Sequence, residues 1–264
     1  MGEEHVQFRI HPGASGPTLV YLPGLHGDWT LVGPFRRALA GRVRFVEFTY
    51  PRTVTWSLPE YGRAVSAALT AEGILAGWLL AESFGSQVAW AMLAEPALPW
   101  QVEGVVLAGG FVRYAPRWLA HGGERAFRRV SAQALQRQVR LYLRAVRWLR
   151  YRAAADQADL DEFARRRTEL DKAAAAHRLA LIATADWRPV AATTRVPVFH
   201  LAGLIDPVVC WWPVRRWLRR RCPGFRGARL ITVSDHNVLN SAPGKAADQV
   251  LRWIRSASTT DLSG

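Results

Sequence analysis

The sequence predicts an α/β fold: a mostly parallel, doubly wound sheet interrupted by a helical insertion. Two patterns predict it. Short apolar runs of strand length alternate with helical periods over residues 6–108 and again from residue 197. Between them, residues 113–190 carry helical spacing and no strand pattern. Strands separated by helices pair in parallel, because the crossover helix returns the chain to the same edge.

In chain order, Val6–Ile10 reads as a strand, and Thr18–Leu22 as a buried strand ended by Pro23-Gly24. Pro34–Ala40 opens a helix, and Val43–Phe48 alternates as a strand does. Leu58–Ala71 has helical spacing, with Ser57 and Glu60 placed as a capping box. Trp78–Ala81 is a compact apolar strand, followed by a helix over Phe84–Ala94 and a buried strand over Val102–Ala108. After the insertion come a strand at Pro197–Ala202, a helix at Trp211–Arg221, a strand at Leu230–Val233 and a terminal helix at Ala246–Ile254. The expected organisation is a core of residues 1–112 and 191–264 with a helical cap over 113–190.

Composition limits the function classes. Half of the 264 residues are hydrophobic, and 12 Trp and 10 Phe supply core volume, which excludes disordered and collagen-like chains. The first ten residues carry acids where an export signal needs basic residues, and no apolar run reaches membrane-spanning length. The expected location is therefore the cytoplasm. Two cysteines, Cys210 and Cys222, give no zinc signature; they can pair in principle, but nothing else points to an oxidising compartment.

Ser83 is the candidate nucleophile. Ala81-Glu82-Ser83-Phe84-Gly85 lies between a strand and a helix, with small residues two positions either side of the serine. That spacing suits a tight turn that exposes a serine hydroxyl, although the first glycine of the usual G-x-S-x-G is alanine. Taken alone, Ser83 reads equally well as a helix cap. Two downstream residues change the balance. Asp206 follows the strand PVFHLA, and His236 follows the strand LITV. Both therefore sit at the carboxyl edge of the sheet, where such folds bind ligands. Serine needs a base, and histidine supplies one near neutral pH. An aspartate would hold the imidazole tautomer and stabilise the imidazolium. Asp235 adjoins His236 in sequence and is badly placed for that task. Taken singly, Asp206 reads as an Asx turn and His236 as a loop histidine. Ser86 is a rival serine one turn into the helix. His200 reads as a packed core residue.

Acyl transfer also needs two N–H donors for the tetrahedral oxyanion. One candidate is the Phe84 amide. The other is Leu25 in the loop Leu22-Pro23-Gly24-Leu25-His26-Gly27-Asp28-Trp29, with His26 next in order. His26, Trp29 and Phe111 are candidate pocket residues.

With LPGLHGDW, LLAESFGS, LAGLIDPV and SDHN in place, the chain resembles the α/β-hydrolase superfamily over nearly its whole length. LPGL-x-G together with AESF resembles a group of small bacterial hydrolases. The resemblance implies a mostly parallel sheet, a Ser-His-Asp triad, no cofactor, and a helical cap between the two halves of the sheet; no metal site is expected. Serine at position 83 separates the chain from dehalogenases and epoxide hydrolases, which are similar to one another in using an aspartate nucleophile.

Charge is the remaining signal. The net charge of +14 is almost all arginine. Residues 113–152 hold 11 arginines and one acid, Glu124, and Arg215, Arg216, Arg219, Arg220 and Arg221 form a second run. A solvated outer face is the first reading; weak attraction to an anionic partner or surface is the second. No nucleic-acid reader motif and no transmembrane segment accompany the charge.

The function expected from these residues is a serine esterase (carboxylesterase) acting on a small-molecule ester of short to medium acyl length. One alternative is a thioesterase or acyltransferase using acyl-CoA or carrier thioesters. Another is a non-catalytic ligand or anionic-surface binding protein with a vestigial triad.

Overall fold

The computed structural model describes residues 5–13, 16–95, 97–115, 118, 121, 122, 125 and 154–260. Seven strands form one sheet: β1 (Gln7–His11), β2 (Leu19–Leu22), β3 (Phe45–Thr49), β4 (Ala76–Glu82), β5 (Gln101–Ala108), β6 (Val198–Gly203) and β7 (Phe225–Ile231). Their order is β1-β3-β2-β4-β5-β6-β7. β1 pairs antiparallel with β3, and the other pairs are parallel. The helices whose bounds fall among the described residues are α1 (Gly33–Leu39), α2 (Leu58–Ala71), α3 (Gly85–Leu93), α4 (Ala154–Arg165), α5 (Glu169–Thr184), α6 (Arg188–Thr193), α7 (Trp211–Arg221), α8 (Val238–Ser241) and α9 (Pro243–Thr260).

Alternation along the strands divides the core in two. Val20, Leu22, Leu79, Ala81, Val105 and Leu107 face a core completed by α2 and α3. Leu19, Tyr21, Trp78, Leu80, Val106 and Ala108 face a second core completed by α1, α8 and α9. Strands buried on both faces read as continuous apolar runs, which is why β2, β4 and β5 are legible in the sequence. Ser57 caps α2 as its spacing predicts, its N–H donating to Glu60 Oε2 at 2.6 Å.

The last strand differs from the sequence expectation. It runs over Phe225–Ile231 rather than Leu230–Val233. β7 is an edge strand whose Arg226 and Arg229 are exposed, so its apolar signal is weak. Within 113–190, α4, α5 and the start of α6 are helical as expected. The arginine-rich stretch over 126–152 and its expected apolar face (Phe127, Val130, Ala134, Leu141, Leu149) lie outside the described residues.

Cys210 and Cys222 are both free. They flank the 11-residue α7, which at about 1.5 Å per residue separates them beyond disulfide reach. Among the described residues no helix is long and apolar enough to cross a membrane.

The chain passes from β2 to β3 on one side and then to β4 on the other. This reversal opens a crevice between the carboxyl ends of β2 and β4, where open α/β sheets bind ligands. The β2 loop and Ser83 meet there.

Candidate active site

Ser83 follows β4 with φ 48°, the single non-glycine positive φ among the described residues. A left-handed conformation costs an L-residue free energy, so it persists where the surroundings enforce it. Two contacts do so. The Ser83 N–H donates to Ala108 O at 3.0 Å, carrying the β4–β5 ladder one residue further. Gly85 then starts α3 so close to β2 that a Cβ would enter the Leu22 carbonyl. This close approach explains glycine at the last pentad position. Ala81 is fully buried, and its methyl is accommodated where the pattern usually has glycine.

The structure brings Ser83, His236 and Asp206 together. His236 Nε2 lies 2.9 Å from Ser83 Oγ, and His236 Nδ1 lies 2.8 Å from Asp206 Oδ2. These residues are 153 and 30 positions apart in sequence, joined by the carboxyl ends of β4, β6 and β7. Asp206 Oδ1 accepts the Val208 and Val209 N–H groups, each at 2.8 Å. One carboxylate oxygen thus forms the Asx turn and the other holds the imidazole. Burial alone would push the Asp206 carboxyl up; the His236 contact and the two amides outweigh it and hold it below its ordinary value. Asp235 turns back to accept the Asn237 N–H at 3.1 Å.

Ser86 has a structural task. It is fully buried, its hydroxyl donates to Ser83 O at 2.6 Å, and it accepts the Phe111 N–H at 3.1 Å. Gln87 and Trp90 also donate to Phe111 O, at 2.9 and 3.1 Å. These bonds tie the loop after β5 to α3 beneath the Ser83 turn. His200 is buried in β6, and burial lowers its pKa to about 4.

A cavity of about 400 Å³ opens beside Ser83. Gly24, Leu25, His26 and Asp28 line it from the β2 loop, Leu179 and Ile182 from α5, and Tyr114, Val208, His236 and Asn237 from other loops. Its lining is more apolar than polar, with polar groups from Glu82, His26, Asp28, His236 and Asn237 among it. Tyr114 O–H donates to Val208 O at 2.9 Å and closes one side. Glu82 also lines the cavity; burial raises its carboxyl pKa, and Tyr21 O–H donates to it.

Of the expected pocket residues, His26 lines this cavity, but Trp29 and Phe111 do not. Trp29 turns away, with Arg9 and Arg166 over its ring at 4.0 and 5.1 Å. Phe111 points into the core against Tyr114. The directions of these two side chains are set by tertiary packing, which the local sequence does not carry.

The expected oxyanion donors flank the serine. A Cβ on Gly24 would lie 3.5 Å from Ser83 Cβ, so the β2 loop passes directly against the Ser83 turn. The Gly27 N–H donates to Gly24 O at 2.9 Å and closes a tight turn over Leu25 and His26. The N–H groups of Leu25, His26 and Phe84 donate to no protein acceptor among the described residues. Such groups are available to an oxygen of a ligand.

The α4–α5 segment is tied to the β2 loop and to the loop after β3 by several contacts. Buried Arg167, just before α5, donates to buried Asp28 and lies 4.2 Å over the Phe163 ring. Thr30 N–H donates to Asp28 Oδ1 at 3.0 Å. Arg52 donates to Asp171 at 2.8 Å, and His177 Nε2 lies 2.8 Å from Trp56 O. The His26 ring packs edge-on against Phe163 at 5.0 Å. Burial, with Arg167 and Arg178 nearby, lowers its pKa to about 3, so His26 is neutral.

No family model matches the sequence, and no curated protein matches it. Solved structures do match in shape. A hydrolase from Pseudomonas aeruginosa aligns with TM-score 0.76 over 94% of each chain at 15% identity. An esterase from a Rhodococcus species aligns with TM-score 0.73 over 96% of this chain and 95% of that one, at 20% identity. The enol-lactonase of Burkholderia xenovorans aligns with TM-score 0.72 over 96% of both, at 18% identity. The chain has the α/β-hydrolase fold. Within the α/β-hydrolase fold, the serine turn, the aspartate loop and the histidine loop stand at the carboxyl edge of one sheet.

Proposed function

We propose that the chain is a serine hydrolase that cleaves carboxylic esters of short to medium acyl length. The observation that carries this reading is the continuous chain from Asp206 through His236 to Ser83, ending at a strained serine beside a cavity. His236 takes the Ser83 proton as Oγ attacks the acyl carbon. The developing oxyanion is held by the Phe84 amide and by Leu25 of the β2 loop, with His26 as the next donor. His236 then protonates the leaving alcohol, and afterwards draws a proton from the water that cleaves the acyl-enzyme. Asp206 stays ionised and stabilises the imidazolium. The esterase and lactonase neighbours agree with this reaction class at the level of fold.

The test is a panel of nitrophenyl esters from acetate to decanoate, set beside acyl-CoA of the same lengths. Fluorophosphonate labelling followed by peptide mapping locates the nucleophile. Turnover of the shorter esters with label on Ser83 is expected. Preference for acyl-CoA would move the assignment to a thioesterase or acyltransferase. No turnover and no label would reject the hydrolase.

Weak attraction to anionic surfaces is a second, separate property we propose. Arg216, Arg219, Arg220 and Arg221 on α7 are exposed, and none forms an ion pair with a described residue. The protein is expected to sediment with phosphatidylglycerol vesicles at about 0.02 M salt and to be released by about 0.3 M, as screening shortens the field. Equal binding to neutral phosphatidylcholine vesicles would contradict this.

A further inference from the structure

Two arginines of the cap are almost completely buried: Arg167 at 2% exposure and Arg178 at 1%. Arg167 faces the Asp28 carboxylate. Arg178, on α5, has no carboxylate at ion-pair distance among the described residues. Its Nη1 donates to Leu25 O at 3.0 Å and its Nη2 to Pro51 O at 3.0 Å. Aromatic rings complete its surroundings, with Cζ 5.7 Å from Tyr50, 6.0 Å from Tyr61 and 6.0 Å from Phe84. Burying a cation without a counter-ion is costly, and a methionine would fill the same volume at less cost. Core packing alone therefore does not account for a guanidinium here.

Its position relative to the β2 loop does. The two peptide units in front of Ser83 are each held by one bond. Gly27 N–H fixes Gly24 O, and hence the plane that carries the Leu25 N–H. Arg178 fixes Leu25 O, and hence the plane that carries the His26 N–H. The same guanidinium lies over the side chain of Phe84, whose amide is the donor on the other side of the serine. Gly27 belongs to this arrangement. It has φ 72°, and a Cβ there would fall into the Arg178 guanidinium. In the helical turn before Arg178, Ala174, Ala175 and Ala176 are all buried. Burial is the first cause of the lowered His26 pKa, and Arg167 and Arg178 add to it against Asp28 and Asp171.

We infer that Arg178 is a positioning residue of the oxyanion hole, orienting the Leu25–His26 peptide and placing positive charge behind it. This inference rests on the hydrolase reading above. Developing negative charge on the acyl oxygen would meet oriented N–H dipoles backed by an uncompensated cation in a dry site, where such charge acts most strongly. The substrate itself touches the amides and not the guanidinium.

The test compares wild type, Arg178→Met and Arg178→Lys on a nitrophenyl ester, with active sites counted by fluorophosphonate titration. A positioning role predicts a kcat per site lower by about 100-fold in Arg178→Met, the scale of losing one oxyanion donor, with KM within about twofold. Arg178→Lys keeps the charge but not the fork, and is expected to lose only about 10-fold. The inhibition constant of benzeneboronic acid, which forms a tetrahedral anionic adduct on serine, should rise in step with the loss of kcat. If Arg178→Met does not fold, the Lys variant decides by the same split between kcat and KM. Unchanged kcat per titrated site overturns the inference, as does a raised KM with kcat intact, or a lower kcat with unchanged boronate affinity. Failure of wild type to label at Ser83 overturns the hydrolase reading instead, and this inference with it.

Discussion

Alanine at Ser83 is expected to lower kcat on a good nitrophenyl ester by about 10⁴-fold or more, with KM nearly unchanged. The reason is local. Ser83 holds the only hydroxyl within hydrogen-bond distance of His236 Nε2, at 2.9 Å, among the described residues. Ser86 cannot replace it, because its hydroxyl is committed to Ser83 O and to the Phe111 N–H. Removing the Oγ leaves the cavity and the amide donors in place, so binding should persist. Asp206→Asn should cost kcat about 10⁴-fold, since an amide cannot stabilise the imidazolium and favours the wrong tautomer. It should keep its fold, because the Asn oxygen can still accept from Val208 and Val209. Steady-state kinetics on both variants, with circular dichroism as the control for folding, checks this. Residual activity within tenfold of wild type in Ser83→Ala would mean that another group attacks the substrate.

The second large effect falls on stability. Asp28 and Arg167 form a buried pair between the β2 loop and the α4–α5 connection, with side chains 5% and 2% exposed. Removing one partner takes the short charged contact from the other, so Asp28→Asn or Arg167→Met alone should destabilise the protein by about 3–5 kcal/mol. The double variant should recover much of this loss, since neither charge of the pair then remains without the other and Asn can still accept the Thr30 N–H. Urea unfolding of the four proteins measures the coupling directly. Additive losses would show that the pair does not act as a unit.

The same carboxylate gives a pH dependence of known sign. Burial raises the Asp28 pKa, but Arg167 and the Thr30 hydrogen bonds outweigh burial and bring it below 3.8. A group whose folded pKa lies below its unfolded one stabilises fully above the unfolded value and loses that contribution as pH falls through the folded value. The window lies below about pH 4. Asp171 and Asp206 are lowered too, and add in the same direction. Stability of wild type should therefore fall steeply below that pH, and Asp28→Asn should fall less steeply.

Much of this molecule is written in its sequence. Strands buried on both faces announce themselves as apolar runs, and the positions of Ser83, Asp206 and His236 after β4, β6 and β7 place them on one edge. Parallel pairing then brings residues 153 positions apart to hydrogen-bond distance. The edge strand β7 was legible only in part, because one of its sides is solvated and arginine-rich, so alternation rather than apolarity is its signal. Side-chain direction was not legible at Trp29 or Phe111. A loop residue's orientation depends on partners from distant segments, such as the Arg9 and Arg166 guanidinium groups over Trp29.

The sequence by itself determined the layering of the sheet and the three residues that meet at its carboxyl edge, because strand periodicity and strand-end position are local properties. Tertiary structure alone decided what holds the loop in front of Ser83. Arg178 lies in an alanine-rich helix and reads as one more solvated arginine of a basic chain. Only the packing of α5 against the β2 loop removes its water and leaves two backbone carbonyls in exchange. Burial is a property of the whole chain, and no window around residue 178 contains it.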